Sequence, residues 1–485
     1  MKKSIALILA LLTFVTLFAC ANGGEGNKNT GDDVSKATTA GTSGETVSTS
    51  EELKKVPDDL TFEGHDFVMA APYPLGYVVF VQEEDSDDIV DSAVYKRNQI
   101  LEERFKIKIT GIECGDTGTH AQAFAQYAES GDDVIDVLGI GYYQSGVSMI
   151  TNNYVVPWND VEYINFGSSW WDQNLNESLK ILDNYYYISG AINIGSLRCT
   201  YVTYFNKTIA EDNKEMVGDL YQTVRDGKWT YELFLKYIKD FSRDNGDGIQ
   251  DGNDYYGLVN TANTYMGHFY SANVTTANIT ESGVELTLMN EKNADIIDRM
   301  VNLLNDKQTT YCSENLENIA YIFFSDRALF LCYDLSSAGN WRDRDTDFGI
   351  LPMAKYDEDQ EEYTTCSDQW GLGLCIPVTA KDTARTGAIL ETMAQLSAEY
   401  VTPAYYDKVL TKKLVRDDES GEMLDIIFKN VICDPGVVYS GDLNLIPNFN
   451  CVRNNINLST WYATYGEILE YNISAVLEAV KAQKK

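Results

Sequence analysis

The sequence predicts an α/β protein. From Leu60 onward, short Val/Ile/Leu-rich runs alternate with stretches whose apolar residues recur every three or four positions, the pattern of strands followed by helices. Hydrophobic residues make up 44% and aromatic residues 12% of the 485 positions, enough to bury a core and to exclude wholesale disorder. No internal repeat interrupts that alternation. At roughly 100–200 residues per domain, the length allows two to four domains.

The first 59 residues stand outside this pattern. Lys2 and Lys3 precede an apolar run from Ile5 to Ala19 broken only by Thr13 and Thr16. The run is shorter than the roughly 20 residues of a spanning helix and has the form of a secretory signal over residues 1–19. It ends Leu17-Phe18-Ala19-Cys20, which resembles a bacterial lipobox. That resemblance implies a diacylglycerol on the Cys20 sulfur and cleavage before it; the alternative is a plain signal peptide with an incidental Cys. Residues 20–59 carry no Phe, Trp or Tyr and are rich in Gly, Ser, Thr and Asn, so they lack the apolar surface to offset ordering entropy. As a flexible coil this tether spans roughly 35 Å root-mean-square.

The folded elements follow in order. His65–Pro72 reads as a strand, Asp91–Phe105 as a helix with Val94, Ile100, Leu101 and Phe105 on one face, and Ile107–Ile112 as a second strand. Thr117–Ser130 is expected to be helical, and Asp133–Ile140, a Val/Ile/Leu run between turn residues, a buried parallel strand. Thr230 is placed to cap a helix running to Phe241. Ala294–Leu304 and Ala388–Ala398 repeat its spacing.

Charge narrows the function. With 38 Lys+Arg against 73 Asp+Glu, the formal net charge is -35, which speaks against nucleic acid and against electrostatic adhesion to anionic lipid. The three His residues, 65, 120 and 268, form no H-E-x-x-H pair, and no phosphate-loop, nucleophile-elbow or dinucleotide fingerprint occurs. Paired carboxylates are too common in so acidic a chain for neighbours in sequence to be promoted to a catalytic pair. Besides Cys20 there are eight Cys residues without C-x-x-C or a repeat in spacing; they read mostly as free thiols, with up to four disulfides as the alternative.

Four segments then occur in order: Phe205-Asn206-Lys207, Gly227-Lys228-Trp229-Thr230, Tyr255-Tyr256-Gly257-Leu258 and Phe348-Gly349-Ile350-Leu351-Pro352-Met353. Together, behind the lipobox and tether, they resemble the family 1 extracellular solute-binding proteins, the lipoprotein receptors of bacterial ABC importers, which are relatives of the maltose-binding protein. The resemblance covers nearly everything after Leu60. It implies a two-lobe periplasmic-binding-protein type II fold with hinge strands and an inter-lobe ligand cleft. Lobe 1 would comprise 60–206 plus about 350–400, and lobe 2 would comprise 207–349 plus about 401–485. It also implies a non-enzymatic monomer that needs no cofactor, sits on the extracellular face of the cytoplasmic membrane through its lipid alone, and delivers a small carbohydrate to ABC permease subunits. Tyr204–Lys207 and Phe348–Pro352 are short extended segments suited to a hinge.

The aromatic residues point to the ligand. Sugars pack their C–H faces on rings while their hydroxyls seek Asp and Asn. The candidates are Tyr142 and Tyr143, past the carboxyl end of a strand, with Trp170, Trp171, Asp334, Trp341, Asp368 and Trp370. Trp158 and Trp229 read as structural. Separately, Asp244, Asn245, Asp247, Asp251 and Asp254 resemble a calcium loop, since oxygen ligands at alternate positions around a Gly suit a hard cation. Arg243 occupies the loop's first position, so the alternatives are a shifted register, weak binding, or an Asx-rich turn without metal. An exported carbohydrate-active enzyme, or a sensory or peptide-binding receptor, are the alternative functions.

Overall fold

A computed structural model describes residues 55–73, 80–116, 119–341, 344–367, 371–411, 418–441 and 447–483. The signal, Cys20 and most of the tether therefore lie outside the described residues, as do Asp368 and Trp370. The remainder from Glu52 forms one compact unit built on two five-stranded sheets.

The first sheet has the order β2 (Lys108–Asp116), β1 (Asp66–Tyr73), β3 (Val137–Gly141), β13 (Leu372–Pro377) and β4 (Val155–Val156). β1 lies parallel to β2 and β3, whereas β13 runs antiparallel to β3 and β4. The strand expected at Asp133–Ile140 begins only at Val137, and it is parallel on one side alone. Asp136, just before it, is tied to β1 and beyond: its N–H donates to the Val68 carbonyl at 3.0 Å, and its buried carboxylate accepts from the Val68 backbone N–H at 2.9 Å and from Arg385 at 3.1 Å.

The second sheet has the order β11 (Phe348–Leu351), β5 (Tyr201–Asn206), β10 (Ala328–Asp334), β6 (Tyr256–Asn260) and β9 (Thr310–Cys312). β5 is antiparallel to β10 and β11, while β6 is parallel to β9 and β10. A hairpin of β7 (Ala277–Thr280) and β8 (Gly283–Leu286) and the short pair β12 (Thr365–Cys366) and β14 (Val431–Ile432) complete the strands. Tyr204–Lys207 and Phe348–Pro352 fall largely within this second sheet, with Ile350 opposite Tyr204. The backbone that passes between sheets lies just outside them. Thr200 bridges Ser367, and the Thr365 hydroxyl donates to the Tyr201 carbonyl at 2.8 Å, so two crossings run side by side.

The four motif segments converge on the second sheet. Asn206 caps the following helix through Ile209 N–H at 2.9 Å. The Trp229 indole N–H donates to the Pro352 carbonyl at 2.9 Å, joining the second motif to the fourth. Thr230 caps the helix Tyr231–Phe241, which turns Phe234, Ile238 and Phe241 inward. A Cβ on Gly257 would land on the backbone of Ile238, and one on Gly349 would land on Phe205 and Tyr221. Both glycines are therefore demanded by close approach and not by turn geometry.

Helices cover both sheets. Ile89–Phe105 begins two residues before the expected start, at the Asp88 cap. His120–Ser130 begins three residues later than expected. Glu291–Asn305 follows the predicted periodicity. Thr383–Leu396 ends in a π turn, Ser397–Val401, before Thr402–Thr411. Two buried clusters run through the molecule, and each draws on both sheets: Leu138 and Phe330 belong to one, Phe67 and Val202 to the other. Among the described residues all eight cysteines are free thiols, and all but Cys312 are buried.

Candidate functional site

The ends of β3 and β10 carry two of the sequence-predicted ligand residues. The helix Tyr142–Thr151 starts directly after β3. Within it Tyr143 is buried, and its hydroxyl accepts from the Cys433 thiol at 3.2 Å. Asp334 closes β10, accepts from the Ser336 backbone N–H at 2.9 Å and takes the Ser336 hydroxyl as well. Burial pushes the Asp334 carboxyl above its ordinary range, opposed by the Ser336 and Ser337 donors and by the charge of Arg198. Trp341 sits close by but in the core: its ring lies 5.2 Å from that of Tyr204 and 5.5 Å from that of Phe324. The Tyr204 hydroxyl donates to the Asp334 carbonyl at 2.9 Å, so Asp334 and Trp341 share one support on β5.

Trp170 and Trp171 are brought together by a residue the sequence reading did not single out. Glu391, on the helix Thr383–Leu396, accepts from the Trp170 indole N–H at 3.1 Å through one oxygen. Its other oxygen accepts from the Trp171 indole N–H at 2.8 Å and the Asn165 backbone N–H at 3.1 Å. Desolvation raises the Glu391 pKa, and the three donors hold the rise back. A sequence signal for it existed. Glu391 is the lone charged residue in the buried run Ala388–Ala394, and a buried charge requires partners.

Beside this pair lies a cavity of about 490 Å³. Its walls include Trp170, Trp171 and Asp172 from one side of the crossing region and Thr402, Tyr406 and Phe428 from the helices that follow. Asp172 caps the helix Gln173–Ser178 through Leu175 N–H at 3.2 Å, and enclosure pushes its carboxyl up to about 7. The cavity spans the two sheets' surroundings. Ile188, leading into the Ser189–Asn193 wall, pairs with Leu374 of the first sheet, whereas Phe428 lies in the last turn of the helix Asp418–Lys429 that packs on β11 of the second. Asn174 closes the seam by donating to the Lys429 carbonyl at 2.6 Å.

The acidic loop lies between Arg243 and Tyr255, which pair across its base. Carboxylate oxygens of Asp244, Asp247 and Asp254 come within 4.8 Å of one another. Asp251 is not part of that group and accepts from Asn253 N–H at 2.7 Å, while Asn245 donates to Asp247 at 3.2 Å. Much of the acceptor capacity is already used within the loop. Asp254, buried, takes Asn245 N–H at 3.0 Å and Asp251 N–H at 3.1 Å, while Asp244 takes Gly246 N–H at 2.6 Å. Three carboxylates that close together repel, and a hard cation between them would relieve that repulsion.

No family model matches the chain, and no curated protein matches it. Solved structures do. UgpB from Mycobacterium tuberculosis, in complex with glycerophosphocholine, is 17% identical with a TM-score of 0.53, over 79% of this chain and 95% of that one. A cyclo/maltodextrin-binding protein complexed with maltotetraose is 11% identical with a TM-score of 0.53, over 87% and 98%. The chain has the two-lobe fold of the maltose-binding-protein type. Its α/β class and its two sheets joined by neighbouring crossings are those the motif segments imply.

Proposed function

We propose that this chain is the substrate-binding lipoprotein of an ABC importer, and that it captures an extracellular sugar or oligosaccharide by closure of its two lobes. The observation that carries this reading is the pair of adjacent crossings at Thr200 and Ser367 between two α/β sheets, because a few backbone torsions there suffice for a hinge. The shared fold with a cyclo/maltodextrin-binding protein supports a carbohydrate. Tyr142, Tyr143 and Asp334, at or beside strand ends, are proposed contacts, together with Asp368 and Trp370, which are proposed from the sequence alone. The lipid on Cys20 would hold the body at the outer face of the cytoplasmic membrane, with permease subunits as its partners and no catalytic step of its own. Calorimetry against mono-, di- and oligosaccharides and peptides, with a glycoside hydrolysis assay alongside, tests the reading. Saturable sugar binding without turnover is expected. Turnover would assign a carbohydrate-active enzyme, and peptide binding alone a peptide receptor.

The same reading assigns the Asp244–Asp254 loop a structural calcium ion, held by Asp244, Asp247 and Asp254. It would stiffen the loop and take no part in ligand capture. A rise in melting temperature with added Ca²⁺ that disappears in Asp247→Asn is the expected result.

A further inference from the structure

We infer that the segment Val431–Ser440 is a buried brace between the lobes, fastened to the lobe of the second sheet and releasable from the lobe of the first. This rests on the closure reading above and assigns the surface along which the lobes part. The brace starts at the crossings: Val431 and Ile432 pair with Thr365 and Cys366, and Thr365 is bonded to Tyr201 of β5. Asp434-Pro435-Gly436 then opens the short helix Pro435–Val438. The Asp434 carboxyl accepts from the Gly436 N–H at 2.9 Å, and Pro435 stands at the helix start, where no backbone donor is needed. Cys433, Asp434, Tyr439 and Ser440 are all enclosed, so each polar group there needs a partner.

Those partners divide by lobe. Toward the first lobe, the Cys433 backbone N–H donates to the Ser178 hydroxyl at 2.9 Å and the Cys433 thiol to the Tyr143 hydroxyl at 3.2 Å. The Tyr439 hydroxyl donates to the Leu179 carbonyl. Toward the second lobe, the Asp434 carboxyl accepts from the Tyr270 hydroxyl at 2.9 Å and from the Thr276 backbone N–H at 3.0 Å. Tyr270 ends a helix that follows β6, and Thr276 leads into β7.

Release from the two faces does not cost the same. Parting from the first lobe gives up a weak thiol donor and two neutral hydrogen bonds. Parting from the second strands a buried carboxyl group, and that penalty is larger. Packing is biased the same way. A Cβ on Gly436 would fall 2.1 Å from Thr276 Oγ1 and 2.8 Å from the Ala277 backbone nitrogen, so the brace and the second lobe interlock at backbone distance. On the other face, the nearest atom to a Cβ on Gly441 is a Val147 methyl at 3.4 Å.

The terminal helix Leu458–Gln483 repeats the arrangement. It packs on β8 and on the helix Tyr142–Thr151 alike, and its last described residue holds the first lobe. Gln483 accepts from the Tyr186 hydroxyl and donates to the Ile150 carbonyl at 3.1 Å. Because Tyr142–Thr151 starts at the carboxyl end of β3, the parting face opens where Tyr142 and Tyr143 are proposed to meet the ligand.

One backbone amide crosses each face of the brace, which gives the test. Hydrogen exchange of the full mature chain, resolved to single residues by mass spectrometry, compares the Cys433 N–H with the Thr276 N–H. After correction for intrinsic rates, the Cys433 amide is expected to be at least about tenfold less protected. Tyr439→Phe removes one bond to the first lobe and keeps the ring; it should lower protection at Cys433 about tenfold further and leave Thr276 unchanged. Gln483→Ala, at the chain's far end and outside the core, should act in the same direction by about threefold. Equal protection at the two amides, or variants that loosen both together, overturns the brace. No ligand enters the measurement, so that outcome is separate from a failed sugar titration, which would overturn the carbohydrate reading alone.

Discussion

The Asp244–Asp254 loop and the Trp170–Asp172 turn are both conspicuous in the sequence, and the structure treats them in opposite ways. In the loop, the acidic and amide side chains answer backbone N–H groups a few residues away: Asp247 takes Ile249 N–H at 2.7 Å and Asp251 takes Asn253 N–H at 2.7 Å. The feature largely closes on itself and faces solvent. In the turn, the two indole N–H groups are tied to Glu391, more than 200 positions away. Short-range hydrogen bonds set the conformation of the loop, whereas a long-range acceptor sets that of the turn.

That contrast can be broken in stages. The largest effect is expected from Glu391→Ala, which leaves two indole N–H groups and the Asn165 N–H without their acceptor. Urea denaturation should show a loss of about 2–4 kcal/mol, whereas a loss below about 1 kcal/mol would mean that the indoles are held by packing alone. Next comes the pH dependence of Asp172. Its pKa rises from 3.8 to about 7 on folding, so the folded chain holds this proton more tightly than the unfolded one. The stability it confers is complete below about pH 4 and is lost as the pH climbs to 7. Asp172→Asn keeps the helix cap and removes this component, so its stability relative to wild type should improve steadily between pH 4 and 7; parallel curves would place the carboxyl in open water.

On the loop side, Asp254→Asn disturbs a buried acceptor of two backbone N–H groups and should cost about 1 kcal/mol without calcium. Asp247→Asn, exposed, should stay within about 0.5 kcal/mol in chelator. With millimolar Ca²⁺ present, the two variants should both fall behind wild type in melting temperature. Identical melting with and without the ion would reduce the loop to a turn.

The sequence showed the second sheet better than the site. Trp229, Gly257 and Gly349 are short-range signals with fixed steric consequences, and each meets its partner within the same sheet and its covering helices. Helix periodicity likewise placed Tyr231–Phe241 and Glu291–Asn305 within a few residues, because side-chain spacing on one face is a local property. The cavity was less legible. Trp170 and Trp171 were visible as aromatic residues, but their orientation depends on Glu391, and the facing wall on Thr402 and Phe428, all brought in by chain reversals that leave no trace in spacing. Trp341 illustrates the converse. It has the composition of a ligand platform, yet Tyr204 and Phe324 enclose it, and composition cannot tell an enclosed ring from an open one.

The buried cysteines have a consequence for how this protein can be followed in solution. Burial pushes the Cys332 thiol up to about 12 and the Cys114 thiol up to about 11, from an ordinary value of 9. Each unit lowers the reactive thiolate tenfold, so Cys332 at neutral pH presents about a thousandth of the nucleophile of a free thiol, behind a closed door. Any alkylation there therefore times the opening of the door. Cys332 lies in the second sheet and Cys375 in the first, so a single chain carries a separate clock for the breathing of each half.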